Sequence, residues 1–325
     1  MRSQLLPDQV TRVVERAVLA PSIHNSQPWR FHYDGDAIEV WADRSRRLAG
    51  VDPTGRQLAI SVGGAAEYAA LALRAEGYDV HCEVLPDPER PDLLAQLTPL
   101  RPHTVDAVTR ALVHCMTRRT TYRAAFDPRP IPEHTVEKLR DAVHSAGCGT
   151  MIVSGEQRPG LVVLLERAEA SERRDPRYRE ELNRWRSNAA HATEGIPDSA
   201  LVSNASRVSR VPLRNFTTGD VAVVDTPAVD EPVLLLITTT ADELGDWVAA
   251  GRAMARLLLH ATAAGLQASP VTQSLDQDTD RARTGHELGV VGHPQLLLRL
   301  GYGTAVTPST PRRPLRETLT FPATN

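Results

Sequence analysis

Residues 20–31 read Ala20-Pro21-Ser22-Ile23-His24-Asn25-Ser26-Gln27-Pro28-Trp29-Arg30-Phe31. The polar side chains of Ser22, His24, Asn25, Ser26 and Gln27 are held between two prolines, each of which restricts the backbone around it. Asn and Gln each carry a carbonyl acceptor and an amide donor, and a Ser hydroxyl plays either role. The set suits a partner that presents both donors and acceptors. A phosphate only accepts, and would call for Arg, Lys or backbone amides instead. A plainer reading also fits: a helix exit followed by a strand, with Asn and Ser as turn formers and Trp29 and Phe31 as core residues.

Working outward, Val10, Val13, Val14, Ala17 and Val18 recur at helical spacing behind Pro7, so residues 7–20 are predicted to be a helix with the polar stretch at its exit. Residues 37–42 alternate like a strand, and Asp52-Pro53-Thr54-Gly55 is a turn that opens a long helix over 57–76. Ile60, Gly63, Gly64 and Ala65 give that helix a narrow face. The design recurs downstream, with an apolar strand over 233–239 and a helix over 246–264. When Gly63 is set over Gly251, Leu71 meets Leu259, Ala75 meets Ala263 and Gly77 meets Gly265. A helix over 132–146, with Val136, Leu139 and Val143 on one face, echoes the first helix. The chain reads as two related halves, residues 1–105 and 106–325. Between the copies, residues 171–230 are rich in charge and proline and are expected to be irregular beyond one helix end, as a lid or as a solvated insertion.

Composition narrows the class. A chain of 325 residues with 41% hydrophobic and 24% charged residues is a folded globular protein. Basic and acidic totals of 37 and 40 nearly cancel, so no global field favours nucleic acid or an anionic membrane. Lys138 is the only lysine, so a phosphate anchor has to be arginine. Cys82, Cys115 and Cys148 are widely spaced and suggest neither a disulfide framework nor a zinc site. No signal pattern and no uncharged apolar run near ~20 residues is present, which places the expectation in the cytoplasm. The histidines show no metal-binding spacing.

Two further clusters carry chemistry. Arg118-Arg119-Thr120-Thr121-Tyr122-Arg123 precedes the second copy, and its guanidinium forks and hydroxyls suit a phosphate, although a solvated basic turn has the same composition. Near the end, Thr310-Pro311-Arg312-Arg313 follows an apolar run over 296–300 and a Gly301-Tyr302-Gly303 turn.

The first stretch resembles the Ser-x-x-Asn-x-Gln-Pro-Trp signature of the bacterial nitroreductase superfamily of FMN enzymes. The resemblance implies flavin-ring contacts at Pro21, Ser22, Ile23 and Asn25, with Gln27 and Trp29 holding the loop. Residues 118–127 resemble that family's Arg-Arg-Ser-x-Arg-x-Phe opening, with Thr for Ser and one extra residue before Arg123. Arg118, Arg119, Thr120 and Arg123 are thus implied phosphate contacts. The closing segment is similar to the family's Lys-x-Arg pair, with Arg312 on the arginine position, Thr310 on the lysine position and Arg313 adjacent. Pro270, Val271, Thr272 and Gln273 resemble the strand that passes the flavin N5.

The first half carries the ring motif and the second the phosphate motifs, an arrangement similar to the actinobacterial Acg-type family, in which both subunits of a nitroreductase dimer are fused. The resemblance implies an α+β, nitroreductase-like fold with two related halves forming a pseudo-dimer, one FMN per chain, a monomer that functions alone, and small-molecule electron donor and acceptor. NAD(P)H is the implied donor, with no Gly-x-Gly-x-x-Gly to give it a site of its own. The expected reaction is electron transfer to a nitroaromatic, quinone-like or similar acceptor, with no catalytic side chain because the flavin N5 carries the chemistry. The alternative is a protein that sequesters or stores FMN beneath a lid.

Overall fold

The computed structural model describes residues 4–187, 192–197, 211, 212, 214, 230–303 and 307–322. In the first half, α1 (Pro7–Ala17) leads into β1 (Trp29–Tyr33) and β2 (Ile38–Ala42), followed by α2 (Arg56–Ala75), β3 (Tyr78–Val84) and β4 (Leu93–Pro102). The second half opens on α3 (Ala107–Met116), β5 (Phe126–Asp127), α4 (Glu133–His144) and β6 (Gly149–Ile152). It continues through α5 (Arg158–Arg174), α6 (Pro176–Arg184), β7 (Arg186–Ser187) and β8 (Ile196–Pro197) to β9 (Val233–Thr239) and α7 (Leu244–Ala263). The chain closes with β10 (Gln267–Pro270), α8 (Gln273–Asp276), α9 (Asp278–Leu288), β11 (His293–Gly303) and β12 (Leu319–Thr320).

Two sheets flank a central pair of helices. One sheet runs β12-β1-β2-β4-β3 and the other β10-β11-β9-β6, with β5 on the end of β11. Helix α2 is almost wholly buried, which fits its mostly apolar sequence; it is long and apolar enough to cross a membrane, yet it lies in the protein core. Its Gly63 and the Gly251 of α7 form a reciprocal crossing. A Cβ at Gly63 would fall well under 3 Å from Val248 O, and one at Gly251 would do the same to Ile60 O. Each glycine therefore meets the residue three positions before the other, as the alignment of Gly63 over Gly251 anticipates. Glu67 of α2 bridges Arg252 (3.0 Å) and Arg256 (2.7 Å) of α7 across the same interface.

Strands β9 and β11 are continuous apolar runs because both faces of their sheet are covered. Leu235, Ile237, Leu296 and Leu298 pack toward α7 and α4, whereas Leu234, Leu236 and Leu297 pack with Leu161, Leu165 and Leu288 of α5 and α9. The halves also exchange elements. Strand β12, at the far end of the chain, pairs in parallel with β1, and Leu112, Cys115 and Met116 of α3 join the first-half core.

Two expectations are corrected. Gly301-Tyr302-Gly303 does not turn; it continues β11 and pairs with β5. Its glycine serves close approach, since a Cβ at Gly301 would lie 2.5 Å from the Phe126 ring. Residues 171–187 are not irregular: α6 fills much of them, begun by Pro176 at its first position and by Asp175, whose Oδ1 accepts from Arg177 N at 2.8 Å. Tyr178, Leu182 and Ile196 then pack on Leu48 and Val51. The remainder of the 171–230 stretch, apart from 192–197, 211, 212, 214 and 230, lies outside the described residues.

Candidate active site

The loop after α1 is held in a conformation that few sequences tolerate. His24, Asn25 and Gln27 have φ of 47°, 54° and 49°, each a left-handed backbone that costs a non-glycine residue about 1–3 kcal/mol. Side chains over-determine it. Ser22 Oγ accepts from Gln27 N (3.0 Å), Asn25 Nδ2 donates to Gly195 O (2.9 Å) and Pro311 O (3.1 Å), and Gln27 Nε2 donates to Thr193 O (2.8 Å). Gln27 Oε1 accepts from Arg313 N at 2.8 Å, and Ser61 Oγ of α2 accepts from Ile23 N at 3.1 Å. Gln27 is therefore wholly engaged in holding the loop, and Trp29 is sealed in the core beneath it.

This loop forms one wall of a cavity between the halves. Pro21, Ser22, Ile23 and Asn25 line it from the first half, together with Gln57, Ile60 and Ser61 of α2. Arg119 and Arg123 face them from the chain after α3, Pro270, Thr272 and Gln273 from the end of β10, and Arg312 from the C-terminal segment. Thr120 lines a smaller adjoining recess that shares Arg119, Arg123 and Arg312. Arg118, Val271 and Arg313 line neither space. Arg118 is exposed, Val271 is buried against Leu297, whose carbonyl its N–H reaches at 2.8 Å, and the Arg313 guanidinium binds Gln27 O (3.3 Å) and Glu317 O (3.2 Å).

Sequence reasoning missed several lining residues, among them Gln57, Ser61 and Arg214. Gln57 and Ser61 carried a signal, as polar residues on a helix face that is otherwise apolar. Arg214 carried none, because its place is fixed by pairing with Glu172 and Asp276, both tens of residues away in the chain.

Four arginines line the cavity, Arg119, Arg123, Arg214 and Arg312, and no Asp or Glu does among the described residues. Burial lowers Arg123 and Arg312 to about 10, and the neighbouring Arg119 adds to both shifts. Among the described residues neither Arg119 nor Arg312 meets a carboxylate. Like charges gathered this way are the signature of an anion site. They differ in what they have left to offer. Arg312 donates to Val18 O (2.6 Å), Leu19 O (3.0 Å), Thr310 Oγ1 (2.7 Å) and Asn25 Oδ1 (3.3 Å), so it fastens the C-terminal segment to the exit of α1. Arg119 lies beside Tyr68, and its Nε is shut off from solvent without a partner.

Arg214 is different. It pairs with Asp276, Tyr178 and Glu172, the last at 3.3 Å. Burial pushes the Glu172 carboxyl up to about 8 against the pull of Arg214, with Asp276 and Glu169 adding to the rise. Burial also raises Asp276, against Arg214 and Arg56. His24 is held well below its ordinary value by burial and by Arg214 and Arg123, so its ring is neutral at physiological pH.

Residues 116–302 match the sequence model of the Nitroreductase family. Two Mycobacterium tuberculosis proteins whose names read "Putative NAD(P)H nitroreductase", Rv3131 and acg, are among the relatives. Rv3131 is 30% identical over 97% of this chain and 92% of its own length, and acg is 29% identical over 95% of both. Among solved structures, the FMN-dependent nitroreductase NfnB of Mycobacterium smegmatis in complex with NADPH is 19% identical, with a TM-score of 0.42 over 66% of this chain and all of NfnB. With more than half of its length matched by the family and with full-length relatives that include acg, this chain belongs to the nitroreductase family, as an Acg-like member.

Proposed function

We propose that the chain is an FMN-dependent oxidoreductase that passes electrons from NAD(P)H to a nitroaromatic, quinone-like or similar small acceptor, and that its halves act as an intramolecular pseudo-dimer. The observation that carries this reading is the origin of the cavity walls. The strained loop and α2 come from one half, and the arginine cluster, β10 and the C-terminal segment come from the other. The reciprocal crossing at Gly63 and Gly251 supports the pseudo-dimer.

The residues present fit FMN. A buried guanidinium nitrogen without a partner, in a cluster of arginines free of lining carboxylates, suits a phosphate. In this reading Arg119 is the principal anchor, because the donors of Arg312 are already committed to backbone and side-chain oxygens. Arg123 and Thr120 complete the phosphate end, while Pro21, Ser22, Ile23, Asn25 and the Pro270–Gln273 segment bound the ring, where donors and acceptors are both needed. The redox chemistry is what FMN supplies when bound. The protein's part is to bind, orient and limit water: the apolar side chains of Ile23, Ile60 and Met254 dry the cavity, and the neutral His24 ring adds no charge to it.

A second reading, sequestration of FMN, is favoured by one observation. Ile196 and Arg214 line the cavity from the 171–230 stretch, and the carbonyls of Thr193 and Gly195 hold the loop from the same side. Anaerobic stopped-flow of the FMN-loaded protein separates the two. Bleaching of the flavin absorbance near ~450 nm by NADH or NADPH at a catalytically useful rate is the expected result. A flavin that dithionite reduces but neither nicotinamide does would make the chain a flavin holder.

A further inference from the structure

The start of α2 brings to the cavity a polar group that neither motif marks. Gln57 lines the cavity, and its Nε2 donates to Asp276 Oδ1 at 2.9 Å. Asp276 is buried and is not itself a lining residue; its Oδ2 accepts from Thr272 Oγ1 at 3.3 Å and from Arg214. A carboxylate paired with a guanidinium only accepts hydrogen bonds. The Gln57 amide is thereby obliged to turn its NH2 to Asp276, which sends its carbonyl Oε1 the other way. Among the described residues nothing donates to that oxygen. The Thr272 hydroxyl hydrogen is likewise committed to Asp276, so Thr272 also meets the cavity as an acceptor. Two acceptors on one wall call for a ligand that brings an N–H.

We propose that Gln57, oriented by Asp276, accepts the hydrogen bond of the flavin imide N3–H, and that Asp276 is a positioning residue that acts through Gln57 without touching the ligand. This rests on the FMN reading above. The layout of α2 agrees with it. Tyr68, beside Arg119, follows Gln57 by eleven positions on the same helix, about 16 Å at 1.5 Å per residue. The acceptor wall and Arg119 therefore stand at opposite ends of the cavity, with Arg214 held by Asp276 on the acceptor side, as a ligand with an imide at one end and a phosphate on a flexible chain requires.

The other N–H that could meet this wall is the carboxamide of a nicotinamide, and the test separates the two. N3-methyl-FMN keeps the phosphate and the ring of FMN and lacks only the N3–H. Wild type, Gln57→Ala and Asp276→Asn are titrated with both flavins by fluorescence quenching, with thermal melts of the flavin-free proteins as the folding control. Wild type should bind N3-methyl-FMN about tenfold more weakly than FMN, the scale of one hydrogen bond. Gln57→Ala should bind the two alike. Asp276→Asn should also lose most of the preference, because an Asn NH2 lets the Gln57 amide turn over, whereas a merely structural loss would weaken both flavins by one factor.

Equal binding of the two flavins by wild type would overturn the assignment and point the acceptors to the nicotinamide. A preference kept in full by Gln57→Ala would overturn it as well, and one kept by Asp276→Asn would remove Asp276 from its positioning role. If Asp276→Asn does not fold, Gln57→Ala decides. A wild type that binds neither flavin would instead sink the FMN reading as a whole.

Discussion

At the residue scale, two arginines of the same cluster are expected to behave differently. Arg119→Ala removes a charge that is crowded by Arg123 and Arg312 and paired with no carboxylate among the described residues. FMN affinity should fall about tenfold or more, in line with ~1.5–3 kcal/mol for a charge-assisted bond, while the flavin-free protein unfolds in urea much as wild type does. Arg312→Ala strips the carbonyls of Val18 and Leu19 of their donor, so it should destabilise the flavin-free protein by about 1–3 kcal/mol besides weakening FMN. Equal apo stability of the two variants would contradict this division of labour.

Glu172 gives a pH prediction at the same scale. Its folded value of about 8 lies above the ordinary 4.5 of the unfolded chain, so between these values the native state holds a proton that the unfolded state has released. Its contribution is complete below about 4.5, and stability falls as the pH rises toward about 8. Glu172→Gln should flatten that part of a melting-temperature profile relative to wild type; parallel profiles for the two proteins would show that Glu172 is ionised in the fold throughout. Glu67 has the opposite sign. Burial works against its charge, but Arg256 and Arg252 prevail and hold it below its usual value, so its contribution is present above about 4.5 and is lost as the pH falls through the lower folded value.

At the scale of elements, the crossing of α2 and α7 rests on the absence of two side chains. Gly63→Ala or Gly251→Ala drives a methyl into the backbone carbonyl of Val248 or Ile60, which no rotamer change relieves, and should cost about 3 kcal/mol. Gly64→Ala is the control. Its nearest neighbours, Gly251 O and Met254 Cε, both lie at 3.6 Å, an ordinary contact, so stability should hold or rise by up to about 1 kcal/mol from helix propensity. Chemical denaturation of the three variants ranks them directly. The long helices and the central strand were legible to within a residue or two: α2 spans Arg56–Ala75 against an expected 57–76, and β9 spans Val233–Thr239 as read. Helix α6 was not, because its hydrophobic stripe is short and the local signal lay in the Asp175-Pro176 cap.

At the scale of the whole molecule, the proposed pseudo-dimer predicts one FMN per monomer. Sedimentation followed at a flavin wavelength should place bound FMN on a species of 35.5 kDa. Flavin carried only by a species of twice that mass would return the site to a true dimer interface.

The loop of residues 20–31, the arginine cluster and the repeated long helix were all readable as local patterns, because each depends on residue type, spacing and backbone preference along a few consecutive positions. That was enough for the family and for about half of the cavity lining. Which arginine keeps free donors, that Asp276 lies behind Gln57 and Thr272, that Arg214 reaches the cavity, and that the final strand crosses to pair with β1 were set by contacts between positions tens to hundreds of residues apart. Such contacts form only when the halves pack. They leave no periodicity in the chain, since the free energy that selects them comes from burying and pairing polar groups in three dimensions, and not from any preference of the residues one by one.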